Sequence, residues 1–272
     1  MNHSAATYAP PVDQLLTLGD IRPMKAWPDY LALGLGAQHI PDLIRMATDP
    51  AFNDADSDSP EVWAPVHAWR TLARLHAGEV AGPLTSLFSR IDEYDDEVVG
   101  EDLPEAFGVL GPAAVPALGA YLLDGANGLW ARIGAAHSLA EIGGHHAQAR
   151  LACIDPLAQA LAHFSDEDPT FNGFVISFLV ELKAVESSDV IQRAYAAEAV
   201  DDCVVGDWED VQVDLGLRTQ RDRPRRLTTL QKRVRDLMAR MPATALPTAR
   251  PPTTKAEFEA RAERAHLASK LS

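Results

Sequence analysis

Three side chains able to hold a metal recur four residues apart, His137, Glu141 and His145. On a helix that spacing stacks them on one face, as a shared divalent cation would need. Gly143 and Gly144 precede His145 and predict that the helix ends before it joins the row, so the trio reads as an exposed polar ridge with no metal and no cofactor. Asp54, Asp56 and Asp58, followed by Glu61, imitate the opening of a calcium loop. Such a loop needs glycine and then glutamate where this chain has Ser59 and Pro65, so the stretch reads as a polar loop leading into an acidic helix start.

Paired carboxylates for acid and base work could come from Asp92, Glu93, Asp95, Asp96 and Glu97, or from Asp207, Glu209 and Asp210. Both groups read as solvated inter-helix loops, but Asp207-Trp208-Glu209-Asp210 combines a ring with three acids and suits a basic peptide. His67 follows Trp63 by four residues and reads as a packed or capping imidazole. No Gly-rich phosphate loop, nucleophile elbow or Cys-His nucleophile pattern occurs, and no catalytic residue is assigned.

The elements that must position these groups are helical. Apolar residues make up 47% of the 272, aromatic ones only 7%, with alanine and leucine dominant, which favours packed helices. No apolar run is long enough for a membrane span, and the opening residues lack the basic and apolar regions of a signal peptide, so a cytoplasmic location is expected. Cys153 and Cys203 read as reduced thiols. Charge is uneven: residues 218–272 hold 14 basic and 5 acidic side chains, leaving 10 basic and 34 acidic ones, net −24, in residues 1–217. An acidic body repels phosphate backbones and suits cationic protein partners, so nucleic acid could be met only through residues 218–272.

Two markers repeat at nearly the same uneven period. Pro41, Pro83, Pro116 and Pro156 each read as a helix start, where proline forfeits no helical hydrogen bond. Each is followed by a second helix carrying an apolar pair: Leu72 with Leu75, Phe107 with Leu110, Leu139 with Ile142, Leu179 with Leu182. The clearest unit runs from Gly111 to Gly143, turning at Asn127-Gly128.

Its second helix, Arg132-Ile-Gly-Ala-Ala-His-Ser-Leu-Ala-Glu-Ile-Gly143, resembles a HEAT repeat of the armadillo-like superfamily. Trp63-Ala-Pro-Val-His-Ala-Trp-Arg70 and Gly206-Asp-Trp-Glu-Asp-Val-Gln-Val-Asp-Leu-Gly-Leu217 resemble, more narrowly, a bacterial HEAT-repeat family of unassigned function. Relatives ending in a cysteine-rich SEC-C zinc motif differ here, since no cysteine follows Cys203. The resemblance spans about residues 12–217. It implies an all-α fold, a right-handed α-solenoid of about five helix pairs.

The expected organisation is an N-terminal arm and capping helices over 1–36, the solenoid over 37–217, and a basic tail over 218–272. Within the tail, residues 226–241 read as an amphipathic helix, 242–254 as a Pro-rich linker and 255–270 as a last helix. If Leu72 and its equivalents face the core, positions two before and two after face away. These are Arg70, Arg74, Glu105, Val109, His137, Glu141, Ser177 and Glu181, a row running from basic to acidic. With Trp63 and Trp130 near second-helix starts, and with Asp207, Trp208 and Asp210, that row is the expected partner-binding face. The function so indicated is a non-catalytic scaffold holding a protein or peptide, a basic one suiting the charge best. Its rivals are an enzyme on a HEAT scaffold, a lyase or metal-dependent oxygenase, and nucleic-acid binding through the basic tail.

Overall fold

Three of the four repeated prolines, Pro41, Pro83 and Pro116, lie in the first turn of a helix. In the computed structural model, which describes residues 8–55 and 58–223, Pro41 lies in the first turn of α1 (Ile40–Thr48). The chain continues through α2 (Pro50–Asn53), α3 (Ala64–Arg74), α4 (Ala81–Thr85), α5 (Ser89–Tyr94) and α6 (Glu97–Leu110). It then forms α7 (Val115–Leu123), α8 (Leu129–His145), α9 (Arg150–Ala162), α10 (Pro169–Glu181), α11 (Ser188–Ala196), α12 (Asp202–Val205) and α13 (Trp208–Asp214), with short 3-10 turns between. No strand occurs among the described residues. Asp56 and the proposed tail elements over 226–270 lie outside them.

The second helices pack in chain order, α3 on α6, α6 on α8 and α8 on α10. The first helices do likewise, α1 on α4, α4 on α7, α7 on α9 and α9 on α11. Leu72, Phe107, Leu139 and Leu179 are all buried, and one apolar core extends from Tyr8 to Leu215. No single described helix is long and apolar enough to cross a membrane.

Glycine lets neighbouring helices approach. A Cβ added to Gly108 of α6 would lie 3.0 Å from the Glu141 Cβ of α8, and one added to Gly143 would lie 2.7 Å from a Leu182 methyl. Gly143 therefore serves close packing and does not end the helix, since α8 runs on through His145. Pro156, expected to start a helix, sits inside α9, which already begins at Arg150. Its ring packs over Gly119 of α7, where an added Cβ would come within 3.2 Å.

Arginines tie successive helix pairs. Arg132 of α8 donates through Nε to the Leu122 carbonyl (2.8 Å) and forks onto Glu167 (2.8 and 2.6 Å), with Phe171 beneath the guanidinium. Arg150 of α9 donates to the carbonyls of Leu182 (2.6 Å) and Lys183 (2.7 Å) and pairs with Glu186. Both satisfy carbonyls that a helix end or turn leaves open.

The N-terminal arm is anchored by Tyr8. Tyr8 is buried beside Phe52, with Arg45 over its ring at 4.3 Å. Leu15 and Tyr30 are buried in the same core.

Candidate functional site

The row of second helices is divided into a covered end and an open end. At the covered end every residue of α3 from Ala64 to Ala73 is buried, because residues 19–30 lie across the face expected to be free. His67 is fully buried. Its Nε2 faces the Gly19 carbonyl at 2.8 Å and so carries the proton, and Nδ1 accepts from the Tyr30 hydroxyl at 2.9 Å. Burial pulls its pKa down, so the ring is held neutral.

Arg70 corrects the expected surface row. Its side chain is 8% exposed and meets the equally buried Asp102 of α6, Nε lying 3.0 Å from one carboxylate oxygen and 3.1 Å from the other. The Trp69 indole donates to the same carboxylate at 2.7 Å. Arg74 is exposed as expected and lies 5.4 Å from the Trp27 ring, with Arg70 at 5.0 Å. Glu105 is exposed on α6. Desolvation by the surrounding protein, then the Asp102 charge, push its carboxyl above the ordinary range. Trp63 is also a correction, since it is only 9% exposed and lines a cavity of about 290 Å³ with Trp69, Val66 and Val99, under the Arg22 guanidinium.

The open end is built by α8 and α10. Asp92 of α5 accepts from the backbone N–H groups of Trp130 (3.0 Å) and Ala131 (2.7 Å), capping α8 from another helix. Gly128 permits this, for a Cβ there would fall 2.3 Å from the Asp92 carboxylate. So capped, α8 presents Trp130, 44% exposed, edge-on to Phe174 of α10 at 5.8 Å. Phe174 lies beside Phe178, whose ring stacks on His137 at 5.2 Å. Glu141 faces His137 at 3.4 Å and His145 at 3.9 Å, and the His137 contact holds its carboxyl below the ordinary range. Glu181 is exposed at the end of α10.

His145 thus joins the row that Gly143 and Gly144 were expected to break. The ring nitrogens sit on opposite oxygens of Glu141 and do not converge. The single group of potential metal ligands lying within 4.8 Å of one another among the described residues is Asp201, Asp202 and Cys203, at an exposed helix start. The other acidic stretch is equally structural. Asp96 caps α6 and accepts from Arg90, which also reaches Asp54 at 2.9 Å.

Asp207, Trp208 and Asp210 form a third locus. Asp207 and Asp210 make a capping box at the start of α13. Arg221 forks onto Asp207 (both contacts 2.7 Å) and lies 2.5 Å from Asp210 and 3.8 Å from Glu209. Trp208 packs against Tyr195, whose hydroxyl donates to the Gly206 carbonyl at 2.7 Å. The expected anchor for a basic peptide already holds a guanidinium of its own chain.

The residues expected to bind a partner therefore fall in separate places. Trp130, His137 and Glu141 come together, the largely buried Arg70 lines a common cavity with Arg74 and Glu105, and Trp63 is buried beside another. Phe174 and Phe178 were not anticipated, although their spacing from Glu181 puts them on its helix face. Comparison with family models, curated proteins and solved structures returns no match.

Proposed function

We propose that the helix pairs form a HEAT-type solenoid serving as a non-catalytic cytoplasmic adaptor, which grips a basic protein segment on the open strip of α8 and α10. The observation that carries this reading is Trp130, nearly half exposed yet held by Phe174, at the head of an aromatic run that ends on His137 and Glu141. A rigid aromatic with acids beside it matches the preference of interfaces for aromatic anchors and of cations for ring faces. The net charge of −24 over residues 1–217 steers cationic chains toward it. The free thiols Cys153 and Cys203 suit a reducing compartment, and burial raises the Cys153 thiol to about 11, leaving it unreactive.

Selection of random displayed peptides on the full chain tests this. Lys- or Arg-rich sequences with an apolar residue should be enriched. Trp130→Ala and Glu141→Gln should each weaken the winners by roughly tenfold. Enrichment of acidic peptides, or winners indifferent to Trp130→Ala, would end the reading.

A further inference from the structure

The covered end of the second-helix row gathers positive charge inside an acidic body. Lys25, Arg70 and Arg74 line one cavity of about 330 Å³ with Trp27, Glu105 and Val109. An adjoining cavity of about 310 Å³ shares Trp27 and Arg74. Arg22, Arg45, Arg70, Arg90, Arg132 and Arg150 each hold a carboxylate. Arg74 holds none among the described residues, and neither does Lys25; the guanidinium instead lies by the Trp27 ring. Two cations that hold no carboxylate among the described residues therefore line one cavity with the Trp27 ring, in a space of the size small ligands occupy.

The chemistry of an occupant follows from these walls. A guanidinium fork matches the two coplanar oxygens of a carboxylate, and an ammonium adds a point charge. Trp27 offers a ring to stack on. Glu105 stands on the α6 wall, and its negative charge repels a doubly charged ligand about twice as strongly as a singly charged one. That favours a monocarboxylate over the phosphate dianion. We infer that this cavity is a binding site for a small aromatic monocarboxylate, its carboxylate on Arg74 and Lys25 and its ring on Trp27. The site is separate from the Trp130 strip and goes beyond the adaptor reading.

Calorimetric titration of the full chain with benzoate, benzyl alcohol and inorganic phosphate is the test. Benzoate should saturate a single site, with benzyl alcohol and phosphate each weaker by roughly tenfold or more. Arg74→Gln removes an exposed cation that holds no carboxylate, so the unfolding midpoint should stay and benzoate affinity should fall by about tenfold. Should that variant perturb folding, Lys25→Gln is the second probe, with an expected loss of about threefold. The assignment is overturned if benzoate fails to saturate, if benzyl alcohol or phosphate binds as well, or if benzoate affinity ignores the substituted cation.

Discussion

Arg70 of α3 and Asp102 of α6 form an ion pair across two helices, each side chain only 8% exposed, with the Trp69 indole as a third partner on the carboxylate. Two desolvated charges are stable here because three donor nitrogens, two of Arg70 and the Trp69 indole, meet the carboxylate. The pair explains why an aspartate stands among the buried residues of α6.

Removing one partner should be far worse than removing both. Asp102→Ala strands a guanidinium and an indole N–H, with an expected loss of about 3–5 kcal/mol in urea unfolding. The double replacement Arg70→Met with Asp102→Leu should recover most of it. Equal losses in the single and double variants would mean that the helices meet here by packing alone.

His67 makes the N-terminal segment sensitive to acid. Its folded pKa lies below the ordinary 6.5, so the unfolded chain takes up the proton first. Its stabilising effect is complete above 6.5 and declines as pH drops toward the depressed folded value. The backbone around Gly19 and Tyr30 should then lose hydrogen-exchange protection before α8 and α10 do. His67→Gln should flatten that part of the pH profile, and an unchanged profile would discard the assignment.

Asp92 caps a helix that belongs to the next pair. Asp92→Ala is expected to lower stability by about 1 kcal/mol, the usual effect of losing a cap. Asp92→Asn, which keeps an acceptor oxygen, should cost less. Exchange of the Trp130 and Ala131 amides should accelerate in the alanine variant, and no change at those two amides would refute a capping role.

Arg221 closes the acidic start of α13. Because the guanidinium holds Asp207 below its ordinary 3.8, this stabilisation is present above 3.8 and disappears as pH drops through the lowered value. Arg221→Gln should speed exchange of the α13 amides near neutral pH and make a short Arg-containing peptide bind at Asp207. A peptide that binds the parent chain as well as the variant would show that the guanidinium does not occupy the locus.

Helix succession was legible because Leu72, Phe107, Leu139 and Leu179 keep a period that proline starts reinforce. The surface row was legible only where nothing lies on top of it. At 100° per residue, Arg70 and His137 are equivalent positions, yet one is buried and the other partly open. The difference arises from residues 19–30 folding back onto α3, a long-range contact that helical periodicity does not encode. Arg221 was hidden for another reason: it counts among tail cations, and only the turn after Gly216 brings it to Asp207. The glycines of α8 misled because the same residue that ends helices also lets two of them touch.

The bridging arginines carry an evolutionary corollary. Arg132 takes its carboxylate from the loop that leads to α10, and Arg150 takes its carbonyls from the turn after α10. Excising one helix pair would strand a guanidinium on one flank and bare peptide oxygens on the other. Removing α9 and α10 together would therefore require new partners for Arg132.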